Sequence, residues 1–341
     1  MNPTIREPEA TTSVPASPSP DDAIAAGGET RSRPWMGWLA IPGALLLFVG
    51  GQYLGMLAAR FVCTFVVPSW IPSHFEGGNW GRTLRTAMGL PRVAALVIVL
   101  TNACIVLLVL LVGRASGRRW RERLGLTSGC VPAREFPVLV LASIGALGIG
   151  WVVMTELRSA GLLHDVAASR KTLASALASG SPAAKILFVF GGSVLTGIAE
   201  ELVFRGYLQR ALLAHWRPVL AVGVAPVLAI GVASVIFAAM HGVAYDVYVL
   251  PVAVFLGYLA WRADSIFPTI VCHIMVNGLG QSAIAIWGFG SLHHARGVAG
   301  SGLTPLQSGA MSVAVLIGSA FLVWIGVSRV ERSAGRTSQE A

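Results

Sequence analysis

The sequence predicts an all-α protein, a polytopic integral membrane bundle of about eight transmembrane helices, and three observations predict it. Apolar side chains make up 55% of the 341 residues. Charged ones make up 12%, against about 25% in a soluble globular domain, and mean hydropathy is +0.70. The apolar residues fall in runs of bilayer length separated by short arginine clusters. A net charge of +9 distributed in that way records membrane orientation and implies no nucleic-acid partner.

Residues 1–33 are rich in Pro, Ser, Thr and Ala, with acids at Asp21 and Asp22. They carry too little apolar surface to offset the entropy of ordering, so a disordered cytoplasmic tail is expected. The stretch lacks the basic start, short apolar core and small-residue cleavage site of a signal peptide. Eight apolar spans follow, at approximately 35–58, 93–113, 136–156, 184–206, 220–241, 247–262, 265–288 and 308–328. The sixth is short, as expected of a helix partly shielded by its neighbours. The membrane domain is thus 34–330, and 331–341 reads as a short cytoplasmic tail.

Between the second and third spans stand Arg114, Arg118, Arg119, Arg121, Arg123 and Arg134, opposed by Glu122 and Glu135. Lysine and arginine collect on the cytoplasmic side, so this loop and, by parity, both termini are expected in the cytoplasm, in the plasma (inner) membrane of a bacterium. Arg31 and Arg33 before the first span and Arg329, Arg332 and Arg336 after the last agree with that orientation. The loops sent outside are about 59–92, with His74 and Glu76, about 157–183, and the Gly/Ser-rich 289–307. No internal repeat is found. Gly51 and Gly55, four apart, are read as close packing within the chain and not as a dimer seam. Cys63, Cys104, Cys130 and Cys272 are scattered, with no CxxC spacing, and indicate neither a disulfide framework nor a cysteine metal site.

Ionisable residues inside lipid-spanning runs are expensive, and each is by default a functional-site hypothesis. The fourth span carries Glu200, Glu201 and Arg205. Glu201 and Arg205 are four apart with the acid N-terminal, the favoured order for a helical ion pair. Glu200 points about 100° away and is left free. A free carboxylate in a site of low dielectric has the basicity a general base needs. A single buried ion network holding helices together is the structural alternative. The fifth span ends in Phe237-Ala-Ala-Met-His241, where the ring, four residues before the imidazole, can limit its rotation. The seventh contains His273-Ile-Met-Val-Asn277, two hydrogen-bonding side chains one turn apart on one face. Taken together, a carboxylate, an imidazole and a His/Asn pair supply what a water-activating hydrolase needs within a membrane. Glu200 would take the proton, His241 would hold the water, and His273 with Asn277 would donate to the oxyanion at a peptide carbonyl.

These segments resemble a known family. Glu200-Glu201-Leu-Val-Phe-Arg205 matches EExxxR, Phe237 to His241 matches FxxxH, and His273 to Asn277 matches HxxxN, in the order and spacing of the CPBP family. That family comprises CAAX-processing proteases of the Rce1 type and bacteriocin-processing or immunity (Abi) proteins. Phe255-Leu-Gly-Tyr-Leu-Ala-Trp-Arg262 and Arg121-Glu-Arg-Leu-Gly-Leu126 are similar as well, so that the peptidase core would cover about 120–285. The resemblance implies an intramembrane glutamate-type endopeptidase without a cofactor. It implies Glu200, His241, His273 and Asn277 as catalytic residues, with Glu201, Arg205 and Phe237 in support. The substrate it implies is a membrane-associated protein or peptide, prenylated or a precursor.

Three alternatives stand beside it. A zinc metalloprotease could use Glu200, His241 and His273 as ligands, although HExxH is absent and Asn277 is a poor zinc ligand. A non-catalytic immunity or scaffold protein could keep the same polar core for packing. A proton-coupled transporter is the third, disfavoured by the lack of repeat symmetry. Parity puts His241 at the outer end of its span while Glu200 and His273 lie deeper, so the fifth helix is expected to start late, after Pro226, or the span edges to be off by a turn. His74, His164, His215 and the pair His293–His294 carry no ligand spacing, and Glu156, Asp246 and Asp264 read as solvated or capping residues near span ends.

Overall fold

A computed structural model describes residues 34–67, 70, 90–163, 180–218, 220–221, 223–241, 243–296 and 305–340. The tail read over 1–33, His74 and Glu76 of the first outer loop, and His164 lie outside them. The described backbone is mostly helical, with no strand among the described residues, and apart from the short helix Trp120–Arg123 its helices form eight elements that correspond to the eight apolar spans: α1 (34–66), α2 (Pro91–Ala115), α3 (Ala133–Ser159), α4 (Pro182–Trp216), α5 (Val224–Ala239), α6 (Val243–Ala263), α7 (Phe267–Arg296) and α8 (Pro305–Glu340). Five of them, α1 to α4 and α8, are long and apolar enough to cross a membrane. The protein is an all-α membrane bundle.

Two apolar clusters organise it. One is built around α4, with Leu202, Phe204, Leu208 and Leu212 packed against Phe48 of α1, Ile105 of α2 and Phe237 of α5. The other joins α3, α6 and α8 through Leu139, Ala142, Leu256, Leu259 and Val330. Gly51 and Gly55 explain how α1 and α2 approach: a Cβ at either would lie within 2.5 Å of Ile105 or Thr101. The spacing is intramolecular packing, as its sequence suggested. The four cysteines are free.

The basic loop is folded onto the end of the bundle. Gly125 and Gly129 both take the left-handed backbone, at φ +68°, which favours glycine. They let the strap pair with the turn after α6: Ile266 N donates to Gly125 O at 3.0 Å and Cys130 N to Ala263 O at 3.1 Å. Two sequence boundaries are corrected. α7 runs to Arg296, so 289–296, with His293 and His294, is helix and not loop. α8 continues through 331–340, the stretch read as a tail, because its Ser, Arg and Glu residues hold helix well enough and Glu331 meets Arg262 and Tyr258 of α6.

Candidate active site

α4 is where the sequence places its charges, and the helix is deformed there. It widens to π-type turns over Phe190–Leu195 and again over Leu202–Gln209, on either side of Thr196–Glu201. Such turns are rare in helices and concentrate at functional sites. Glu200, Glu201 and Arg205 are all buried.

Glu201 is the structural member. Its Oε1 accepts from Arg205 Nη1 at 2.7 Å and from His273 Nδ1 at 2.7 Å. Arg205 then reaches across to α6, where Nη2 donates to the Ala253 carbonyl at 3.0 Å. Its guanidinium also lies 4.6 Å from the Phe237 ring centroid on α5. One ion pair therefore ties α4 to α5, α6 and α7. Both side chains are at most 1% exposed, and such a pair depends on further hydrogen bonds, here those to His273 and the Ala253 carbonyl, while Glu201 Oε2 makes none among the described residues. Gln209 extends the same stripe one turn on, donating from Nε2 to the Gly257 carbonyl at 2.8 Å. The two bonds, Arg205 to Ala253 and Gln209 to Gly257, hold α4 and α6 parallel in register. A Cβ at Gly257 would meet Gln209 Oε1 at 2.9 Å, which accounts for the glycine in Phe255–Arg262.

Glu200 differs in making no hydrogen bond at all among the described residues, although the Oε2 of both glutamates is buried and unbonded. The basic nitrogen nearest to Glu200 Oε2 is His273 Nε2, at 3.4 Å. With Nδ1 committed to Glu201, His273 presents only Nε2 to Glu200, so its ring is oriented by one glutamate toward the other.

Phe237 brings the remaining groups together. Its ring is 4.7 Å from that of His241, 5.9 Å from that of His273 and 5.2 Å from that of Phe204. Since Phe237 touches Arg205 and both histidines, His241 lies at the level of Glu201 and His273. The depth mismatch expected from parity rests on span edges that were too wide: α5 starts at Val224, just before Pro226, and ends at Ala239, so it is only 16 residues long and His241 stands in the turn after it. His241 Nδ1 donates to Phe237 O at 2.9 Å, which leaves Nε2 as the ring nitrogen open to a ligand. Its side chain is half-buried.

α7 runs antiparallel to α4, with a Cβ at Gly197 reaching Ile274 at 2.9 Å and one at Gly192 reaching Gln281 at 3.2 Å. Asn277 lies one turn beyond His273 on this facing side, half-buried, and makes no hydrogen bond among the described residues. At its level, Asn102 of α2 donates to Thr196 Oγ1 at 3.0 Å. Glu200, Glu201, Arg205, Phe237, His273 and Asn277 thus lie on α4, α5 and α7, and His241 in the turn that follows α5. Gln209, Asn102 and Thr196 were not selected. Gln209 was readable as the third member of the stripe Glu201, Arg205, Gln209, each four apart in an apolar run. Asn102 and Thr196 carry no spacing signal of their own.

No group of three or more His, Cys, Asp or Glu side chains is arranged to hold a metal ion among the described residues. His215 caps its own turn, with Nδ1 donating to Ala211 O at 2.8 Å, and Asp264 pairs with Arg210 at 2.8 Å.

Residues 182–279 match the family model described as type II CAAX prenyl endopeptidase Rce1-like. That stretch runs from the first residue of α4 into α7 and contains all three motifs. It bears out the resemblance read from them: the core of the chain is similar to the CAAX-type intramembrane endopeptidases of the CPBP family. No curated protein and no solved structure matches the chain.

Proposed function

We propose that the chain is an intramembrane endopeptidase in which Glu200 activates the attacking water. The observation that carries this reading is the division of labour between adjacent glutamates. Glu201 is bonded through Oε1 to Arg205 and His273 Nδ1, whereas Glu200 makes no hydrogen bond among the described residues and its buried Oε2 faces His273 Nε2 at 3.4 Å. A buried acceptor left open is costly, and a water bound there for reaction removes the cost.

In the proposed cycle, water sits between Glu200 Oε2 and His241 Nε2. Glu200 takes a proton as the water oxygen bonds to the peptide carbonyl carbon. The oxyanion so formed accepts from Asn277 Nδ2 and is faced by the His273 ring, which Glu201 holds in place through Nδ1. Glu200 then returns the proton to the departing amine, the C–N bond breaks, and an acid and an amine result. The substrate is a membrane-associated protein or peptide, either CAAX-like and prenylated or a precursor matured at the membrane. The arginine-rich loop and both termini face the cytoplasm of a bacterial plasma membrane.

Because the Glu201–Arg205–His273 network ties four helices together, a scaffold or immunity role of the same fold is the competing reading. One experiment separates the two. Glu200→Gln keeps size and hydrogen bonding but cannot accept the proton, so membrane peptides from cells carrying it should accumulate an uncut precursor, and purified activity should fall by about 10²–10⁴-fold. Unchanged cleavage would remove Glu200 from the chemistry, and an unchanged cellular phenotype would favour the scaffold. Activity that survives chelation but not Glu200→Gln would separate this mechanism from a zinc-bound water.

A further inference from the structure

Away from the glutamates, at the end of the bundle where the basic loop also lies, Arg134, Arg329, Arg332 and Arg336 surround a cavity of about 370 Å³. The one acid lining it is Glu135. Its oxygens lie 3.5 Å from Arg329 and 3.9 Å from Arg134, well outside the ~2.7–2.9 Å of a tight charge-assisted bond. Four guanidinium groups therefore converge on a space in which their donors are not used up by one buried carboxylate. Arg332 and Arg336 are exposed, one turn apart on α8, where like charges destabilise a helix unless an anion joins them. The N-terminus of α3 opens onto the same cavity through Glu135 and adds its partial positive charge.

A larger cavity at the same end, about 520 Å³, shows the contrast. Two of its arginines are already engaged, Arg210 with Asp264 at 2.8 Å and Arg123 with the Ser116 carbonyl at 2.7 Å.

The position of the arginine cavity identifies its occupant. One face of α8 is bare of protein: only 11% of its most apolar window is buried, and Val313, Ile317, Phe321 and Trp324 are exposed along it. Phe321 and Trp324 stack on the outer surface just before the arginines begin, the place of an aromatic girdle at a membrane interface. An acyl face and a cationic pocket are thus continuous on one helix. We infer that this pocket binds the phosphate of an anionic phospholipid, the headgroup held by Arg134, Arg329, Arg332 and Arg336 and the chains lying along α8.

The test uses the full chain in vesicles of phosphatidylcholine with and without phosphatidylglycerol, with retained lipid counted after extraction into detergent by native mass spectrometry. The wild type should keep phosphatidylglycerol in preference to phosphatidylcholine. Arg332→Gln/Arg336→Gln should lose it by about 10- to 30-fold, the effect of removing two arginines from an anionic headgroup. Arg118→Gln/Arg119→Gln, an equal charge change in the basic loop, should keep it. Retention by the first pair, or equal loss by the second, overturns the site. Displacement by inorganic phosphate with no preference between the lipids would assign the pocket to a soluble phosphate and overturn the lipid. Arg336→Gln alone, at the exposed end of α8, supplies the comparison if the double variant does not fold.

Discussion

α4 and α8 are both long and apolar enough to cross a bilayer, and they differ most in what surrounds them. Protein buries 56% of the most apolar window of α4 and 11% of that of α8. On α4 the charges sit in mid-helix, because α5, α6 and α7 replace lipid with a ring, a carbonyl and an imidazole. On α8, Arg329, Arg332 and Arg336 follow the apolar run and stand at its end. Polar chemistry inside a membrane is therefore a property of the neighbours a helix has, and not of its own hydropathy.

Removing the interior pair is the severest way to break that comparison. Arg205→Met leaves Glu201 as a buried charge with only His273 beside it and should destabilise the bundle by about 3–5 kcal/mol, seen as a lowered thermal midpoint in detergent. Adding Glu201→Gln should restore part of the loss. A drop below about 1 kcal/mol in the single variant would mean that α4 is no more dependent on its charges than α8. Asn277→Ala sharpens the contrast from the catalytic side: with no hydrogen bond to lose among the described residues, it should leave the midpoint in place while activity falls by about 10²–10³-fold. If stability falls instead, Asn277 is helix glue. Gln209→Leu removes one interhelical bond and should cost about 1 kcal/mol. On the exposed helix the effects shrink. Glu331→Gln, which loosens the contact of α8 with Arg262 and Tyr258, should cost at most about 1 kcal/mol, and Phe321→Leu on the lipid face about 0.5 kcal/mol or less.

Much of this is legible in the sequence. The eight helices follow from apolar runs, and the split between Glu200 and Glu201 follows from helical spacing to Arg205. The packing of Phe237 on His241, 4.7 Å between ring centroids, follows from the same spacing. Contacts to backbone were not legible. No pattern announces that Arg205 takes the Ala253 carbonyl or that Gln209 takes that of Gly257, because a carbonyl has no letter of its own. The length of α5 was also misread, since Leu220 and Ala221 continue its apolar run without belonging to the helix. Hydropathy registers composition, and a turn built of apolar residues looks the same as a helix.

That truncated α5 has a consequence for the lipid. Its 16 residues give a rod of about 24 Å, some 6 Å less than a hydrocarbon core of about 30 Å. Hydrophobic mismatch of this kind draws the bilayer surface inward, at a fraction of a kcal/mol per ångström. His241 stands in the turn that ends this short helix, so of the site's residues it is the one set at the short wall of the bundle.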